Sequence, residues 1–199
     1  MKNNLIYLVP ASLKSNVSLE EALYRRHSTR TFGSQKIGLK EISQILWACY
    51  GKNAYGKKTV PSAGGRYPID VYLIAGDIEN LPVGLYQYDS EKHALITLHN
   101  IDIRNAIAEA AYQQMFISMA PAIIILIACF NRTTDSYGKR GERYVFIDTG
   151  HIGQNVSLQV ETIGLATCMI GAFDDEKVSK LLSVKGDPVY IMPVGRSKT

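Results

Sequence analysis

The chain has 199 residues, of which 46% are hydrophobic and 20% are charged, and its formal net charge is +4. A chain of this size buries roughly 70% of its unfolded surface, so it needs no disulfide or metal to fold. Its basic residues form four short clusters and no stripe, which argues against nucleic-acid binding and favours small anionic ligands. We predict one domain over residues 1–199. The basic clusters lie at 25–30, 57–58, 139–143 and 196–198.

The three cysteines and four histidines show no metal-binding spacing, and we predict no metal site. The cysteines sit in apolar contexts without a Cys-x-x-Cys pair, which indicates buried thiols in a reducing compartment. The longest apolar stretch, 122–130, is about half the length of a membrane span, and no signal peptide is recognisable. We therefore expect a cytoplasmic protein with no membrane and no nucleic-acid partner.

A short basic segment follows the first predicted helix. Ser18 and Glu21 form a capping box that begins this helix, which ends near Arg26. Beyond it, an extended chain places Arg26, Ser28 and Arg30 on one side. Two guanidinium groups and a hydroxyl on one side can bind an anion such as phosphate, although a solvated basic helix end remains the alternative. The apolar residues of the helix share one face: Leu19, Ala22 and Leu23.

Periodicity and turn residues predict the remaining elements. The mixed order of helices and strands along the chain, together with the hairpins, favours an α+β fold with a mostly antiparallel mixed sheet and helices on both sides. The predicted helices are 39–50 (stopped by Gly51), 101–115, 144–164 and 175–182, and the predicted strands are 69–75, 84–89, 94–99, 122–130, 165–170 and 189–194. The long loop 51–68 between a helix and a strand suggests a functional role.

Glycines mark three places where a ligand or a neighbouring backbone can approach closely. The loop 61–65 has two glycines at its tip, and its backbone amides can reach a flat ligand unless it is a plain turn. Gly171 breaks a predicted strand and exposes backbone in the same way. Gly150 and Gly153 each cost roughly 1 kcal/mol in the long helix, which indicates close approach of another helix or a ligand.

Four segments in order resemble the nitroreductase family of flavin mononucleotide (FMN) enzymes. Arg26-His27-Ser28-Thr29-Arg30 resembles its Arg-x-Ser-x-Arg/Lys motif, and the segment 61–68 with the strand after it is similar to the flavin loop of the branch containing azoline-oxidising, SagB-type dehydrogenases. The segment 148–155 resembles the start of that branch's central helix. The segment 164–174 resembles the part of the family that covers the flavin ring.

The resemblance implies an intertwined homodimer that binds FMN at the subunit interface. Hydride would pass from NADH or NADPH to flavin N5, so no protein acid or base is assigned. Arg26, Ser28, Arg196 and Lys198 would hold the phosphate, and Arg30 beside N1 and O2 would tune the flavin. The implied cofactor-binding residues are Arg26, His27, Ser28, Arg30, Pro61, Ser62, Ala63, Gly64, Gly65, Met169, Ile170, Gly171, Ala172, Gly195, Arg196 and Lys198, and the implied substrate-binding residues are Arg66, Tyr67 and Tyr137.

The expected activity is reduction of a small electron acceptor, such as a nitro compound or a quinone, by NAD(P)H. Gly171 stands where many nitroreductases carry a glutamate, and Ser136 precedes Tyr137 where azoline-oxidising enzymes carry a Lys-Tyr pair. The chain also lacks the N-terminal domain usual in those larger enzymes, so we expect a stand-alone reductase. The alternatives are FMN-dependent oxidation of a peptide-derived azoline, a non-catalytic flavin-binding protein, and a basic interaction module without cofactor.

Overall fold

A computed structural model describes residues 5–198, which fold into a central antiparallel sheet with helices on both faces. The sheet order is β1-β6-β5-β3-β7-β9-β8, and β2 pairs with β4 separately in parallel. The strands are β1 Leu5–Tyr7, β2 Ile37–Gly38, β3 Ile69–Ala75, β4 Ile78–Glu79, β5 Gly84–Asp89, β6 Ala94–His99, β7 Ala122–Ala128, β8 Ala166–Thr167 and β9 Asp187–Gly195. The helices are α1 Leu19–Arg25, α2 Leu39–Tyr50, α3 Arg104–Ala110, α4 Phe116–Met119, α5 Asn131–Tyr137, α6 Arg140–Thr162 and α7 Asp175–Leu182. The predicted α+β class is confirmed.

Strand β7 lies at the centre of the protein, and every one of its residues is buried. Ile124 and Leu126 pack in the core under α2 and α6, whereas Ile123 and Ile125 pack in the core under α3 and α7. A strand covered on both faces needs apolar side chains on both, which explains its continuous hydrophobic sequence. Helix α6 packs over one face of this sheet, and the segments of the candidate site lie around it.

Helix α6 begins four residues earlier than predicted and ends at Thr162. Its predicted apolar stripe is confirmed, because Val145, Ile152, Val156 and Val160 are all buried. Helix α2 has the predicted bounds and ends at Gly51. A Cβ at Gly51 would lie 2.5 Å from Cδ1 of Trp47, so close approach requires glycine there.

The predicted helix 101–115 is wrong as a single element. Helix α3 ends at Ala110, and Tyr112 and Gln113 follow with φ of +54° and +61° before α4 begins. Two consecutive left-handed residues cannot continue a right-handed helix, so the chain turns there. The predicted strand 122–130 also stops at Ala128, and the strand 165–170 is reduced to β8 with a single bridge between Ile170 and Ile191.

Helix α1 is only partly as predicted. The Ser18 hydroxyl accepts the backbone N–H of Glu21 at 3.1 Å, but the Glu21 side chain contacts Arg25, so half of the capping box forms. Ala22 is buried, whereas Leu19 and Leu23 are 61% and 51% exposed. The apolar face of α1 is therefore largely uncovered in one chain. Two of the cysteines, Cys49 and Cys168, are buried, and Cys129 is partly buried.

Candidate active site

The chain's C-terminal tail pairs with residues 31–33, which directly follow the basic segment 26–30. Backbone hydrogen bonds tie the basic segment to β8 at Thr29 and tie residues 31–33 to the tail. These bonds run from Thr29 N–H to the Thr167 carbonyl (3.0 Å), from Gly33 N–H to the Arg196 carbonyl (3.0 Å), and from Lys198 N–H to the Thr31 carbonyl (3.1 Å). Two segments predicted to bind phosphate are therefore neighbours, although they are far apart in sequence.

A cavity of about 130 Å³ opens beside this segment. Arg26, Ser28 and Arg30 are exposed and Thr29 is buried, but His27, which the predicted alternation places with Thr29, is exposed as well. Arg30 does not line the cavity, so its predicted place beside the flavin ring stays a prediction. The cavity is lined by Arg26, His27, Ser28, Gly150, Gly153, Gln154, Ser157, Thr167, Cys168, Met169 and Tyr190.

The side chain of Arg196 is already engaged within the chain. Its guanidinium donates to Glu41 Oε1 of α2 at 2.7 Å and to the Gly164 carbonyl at 3.4 Å. The backbone of Arg196 thus pairs with Gly33, shortly after the basic segment, while its guanidinium forms an ion pair with a carboxylate. Lys198 is exposed and Gly195 is buried in β9. Any phosphate held by Arg196 would compete with Glu41 for the guanidinium.

The glycine loop 61–65 packs elsewhere, against α5 and the start of α6. Gly64 and Gly65 have φ of +58° and +63°, which favours glycine at both positions. The Tyr137 hydroxyl lies against Gly64, since a Cβ there would be 2.5 Å from it. The Tyr67 N–H donates to Ser62 Oγ at 2.9 Å. Two of the predicted substrate-binding residues, Tyr67 and Tyr137, are therefore adjacent to the loop, and Arg66 is exposed at its end.

Helix α6 separates the loop from the cavity. Asp148 of α6 lies near the loop, since Ser62 influences the pKa of its carboxyl group, whereas the cavity is lined by Gly150 and Gly153. Residues two apart in a helix point about 200° apart, so these contacts lie on nearly opposite faces of α6. One chain therefore brings the predicted cofactor residues together in two groups rather than one.

The two glycines of α6 differ in their surroundings. A Cβ at Gly153 would lie 3.0 Å from Cε1 of Tyr190 and 3.2 Å from Sδ of Met169, which confirms close packing there. Among residues 5–198, nothing lies within 4 Å of a Cβ at Gly150, which is exposed at the cavity. Gly171 is equally open, and Ala172 beside it is exposed while Ile170 is buried. These open backbone surfaces can accept a ligand without a side chain in the way.

Sequence analysis did not single out the buried carboxyl group of Asp148 or the imidazole of His151. Asp148 is 3% exposed, and desolvation raises the pKa of its carboxyl group, an effect partly offset by a hydrogen bond from Ser62 and by the nearby His151. Within residues 5–198, His151 Nδ1 is buried without a hydrogen-bond partner. The sequence does contain one indication that Asp148 is buried: it follows Val145 by three residues and therefore lies on the apolar stripe of α6.

Among the residues that the structure describes, no cluster of three or more histidine, cysteine, aspartate or glutamate side chains could hold a metal ion. Over the same residues, no helix combines the length and the apolar character that crossing a bilayer requires.

A sequence model of the nitroreductase family matches residues 23–196. The chain belongs to the nitroreductase family. This match begins just before the basic segment and ends at Arg196, so it includes the segments of the candidate site except Lys198. The family assignment made from the four motifs is confirmed, and this nitroreductase-family chain is an oxidoreductase by that membership.

Three proteins illustrate the similarity. The MJ1384 protein of Methanocaldococcus jannaschii, whose name describes it provisionally as a nitroreductase, is 41% identical over 181 residues, covering 90% of this chain and 91% of the relative. A crystal structure from Ralstonia eutropha JMP134, described in the same provisional way, has a TM-score of 0.86 and 28% identity over 98% of this chain and 90% of the other. The microcin B17-processing protein McbC of Escherichia coli is 23% identical over 165 residues, which cover 75% of this chain and 57% of McbC.

Proposed function

We propose that this nitroreductase-family chain is an FMN-dependent enzyme that uses NADH or NADPH to reduce a small acceptor such as a nitro compound or a quinone. The observation that carries the proposal is the convergence of Arg26, Ser28 and Gly150 on one cavity. Bound FMN would supply hydride transfer through its N5. The protein would bind, orient and enclose it, which is the usual division of labour in flavin enzymes.

The cavity fits the phosphate end of FMN and not the whole cofactor. Its volume of about 130 Å³ is well below the roughly 300–1,000 Å³ of a typical small-molecule site. Arg26 and Ser28 would hold the phosphate there by charge-assisted hydrogen bonds, with Lys198 and Arg196 nearby. The ring would extend outside this cavity, along the open backbone of Gly171 and Ala172.

A second copy of the chain would complete the site, and we propose a homodimer with FMN at the interface. Apolar side chains on α1 and α6 are exposed in one chain, and such a surface marks an interaction site. The glycine loop lies on the opposite face of α6 from the cavity, so the loop of a partner can reach the ring more directly. The exposed apolar residues of these two helices are Leu19, Leu23, Tyr24, Phe146 and Ile147.

Ile147→Glu tests the dimer. Ile147 is 47% exposed on α6, and a glutamate there would introduce a desolvated charge at the proposed interface. We expect a change from dimer to monomer in light scattering, together with loss of bound flavin absorbance. Val83→Glu is the matched control, because Val83 is an exposed apolar residue outside α1 and α6 and should leave both unchanged. A monomer that keeps its FMN would contradict the interface site.

Anaerobic titration with nicotinamides tests the activity itself. We expect a yellow protein whose flavin absorbance bleaches on addition of NADH or NADPH and returns on addition of the acceptor. A colourless protein that also fails to take up added FMN would refute the proposal. Retained flavin with no turnover would indicate a non-catalytic flavin-binding protein. Cytoplasmic location and a single domain over 1–199 stay predictions.

A second candidate function is FMN-dependent oxidation of a peptide-derived azoline. The position of Tyr137 favours it, because its hydroxyl lies against Gly64 of the proposed flavin loop. In that case bleaching would follow addition of an azoline-containing peptide, and oxygen would restore the colour. NAD(P)H would then reduce the flavin poorly.

A further inference from the structure

The turn between α3 and α4 lies against the segment 170–174, which leads from β8 to α7. The side-chain amide of Gln114 donates from Nε2 to the Ala172 carbonyl at 3.0 Å and to the Ala111 carbonyl at 2.9 Å. The last carbonyl of α3 accepts the Asp174 N–H at 2.9 Å. The turn therefore holds two consecutive peptide groups of this segment.

The backbone of the turn is strained. Tyr112 and Gln113 have φ of +54° and +61°, values that residues other than glycine rarely adopt. The Gln114 N–H donates to the Ala111 carbonyl at 3.3 Å, and the Met115 N–H donates to the Gln113 carbonyl at 2.8 Å. Strained backbone of this kind persists where its surroundings over-determine it, and it concentrates at functional sites. The left-handed pair reverses the chain after α3 and brings the Gln114 side chain against the neighbouring segment.

Hydrogen bonds to two carbonyl groups of the segment fix the directions of two N–H groups. In a trans peptide bond the N–H points opposite to the C=O. The Ile170 carbonyl is bonded to β9, so the Gly171 N–H points away from that strand. The Ala172 carbonyl is bonded to Gln114, so the Phe173 N–H points away from the turn. Neither N–H donates a hydrogen bond within the described part of the chain, so both can donate to a ligand.

We propose that Gln114 is the positioning residue that holds the Ala172–Phe173 peptide with its N–H toward the flavin ring. The inference rests on the proposed function, in which the ring lies along Gly171 and Ala172. Without the amide of Gln114, the Ala172 carbonyl loses its partner and this peptide group can rotate. Flavin binding would then have to order the peptide, which weakens binding because the site is no longer pre-organised.

Gln114→Met tests this role, because methionine has nearly the volume of glutamine and no N–H donor. Calorimetric titration of the flavin-free protein with FMN and with riboflavin, which lacks the phosphate, separates the two ends of the site. We expect both affinities to fall by the same factor, roughly 10-fold, as for the loss of one neutral hydrogen bond. Arg26→Ala should instead weaken FMN binding and leave riboflavin binding unchanged. A loss in Gln114→Met that affects FMN alone would contradict a role at the ring.

Gln113→Met is the matched control, because Gln113 is an exposed glutamine in the same left-handed turn. Its side chain makes no hydrogen bond within residues 5–198, and this variant should match the wild type with both flavins. Gln114→Glu keeps the size of the side chain, but an ionised carboxylate accepts hydrogen bonds and donates none. It should therefore lose at least as much affinity as Gln114→Met.

Nuclear magnetic resonance of the flavin-free protein gives a readout that does not depend on the cofactor. The backbone order parameters of Ala172 and Phe173 should lie near about 0.85 in the wild type, as for rigid backbone, and should fall toward about 0.6 in Gln114→Met. Ile170 exchanges two hydrogen bonds with Ile191, each 3.0 Å long, so its order parameter should stay unchanged. In the wild type, the amide resonance of Phe173 should shift when FMN is added.

Two results would overturn the role of Gln114 while leaving the proposed function intact: unchanged affinities for both flavins in Gln114→Met and Gln114→Glu, or order parameters of Ala172 and Phe173 that match the wild type. If neither variant folds, the wild-type resonance of Phe173 decides the matter, because a peptide N–H that stays unshifted with FMN bound does not face the ring. A wild-type protein that binds neither flavin would overturn the inference together with the proposed function.

Discussion

Alanine at both Arg26 and Arg196 should weaken FMN binding by about 3–6 kcal/mol, because each hydrogen bond to a charged group contributes about 1.5–3 kcal/mol. Arg26 is exposed and lines the cavity, so its loss removes a phosphate partner directly. Arg196 must share its guanidinium with Glu41, which lies 2.7 Å away. We therefore expect Arg26→Ala to account for the larger part of the effect.

Calorimetric titration of the flavin-free protein with FMN measures this loss. Glu41→Gln offers a sharper test of Arg196, because it removes the competing negative charge and should tighten FMN binding if Arg196 holds the phosphate. Lys177→Ala is a control, since this exposed cation lies on α7 away from the cavity and should not alter the affinity. An unchanged affinity in the double variant would refute the phosphate site.

Leucine at Gly150 should abolish FMN retention without unfolding the protein. The side chain would enter the cavity beside Arg26 and Ser28 and occupy the space proposed for the phosphate. No atom of the described part of the chain lies within 4 Å of a Cβ at this position, so the single chain accommodates the change. Leucine also has a higher helix propensity than glycine, which should raise the free energy of unfolding of the flavin-free chain by up to about 1 kcal/mol.

A graded series separates blocking of the site from damage to the fold. Gly150→Ala adds one methyl group, so it should give the same gain in stability with partial loss of FMN binding. Thermal unfolding of the flavin-free protein and flavin absorbance after gel filtration measure the two effects independently. Full flavin retention in Gly150→Leu would show that the phosphate does not occupy this cavity.

Sequence periodicity predicted the central elements because their burial is one-sided or complete along their whole length. The stripe Val145, Ile152, Val156 and Val160 and the apolar run of β7 leave few alternatives to the structures that they adopt. The prediction of a single helix over 101–115 is wrong because the helix breaks at Tyr112 and Gln113, and neither residue type indicates a left-handed conformation. Tertiary contacts impose such a conformation, so a local pattern does not reveal it.

The sequence by itself determined the family and the segments that carry its site, because those signals are local: a basic alternating segment, a glycine loop, a long amphipathic helix and a cationic tail. Only the tertiary structure decided how they meet. It paired the Arg196 guanidinium with Glu41, placed the glycine loop and the Arg26 cavity on opposite faces of α6, and buried the side chain of Asp148. These relations join residues distant in the chain, and they depend on packing and desolvation, which no short stretch of sequence encodes.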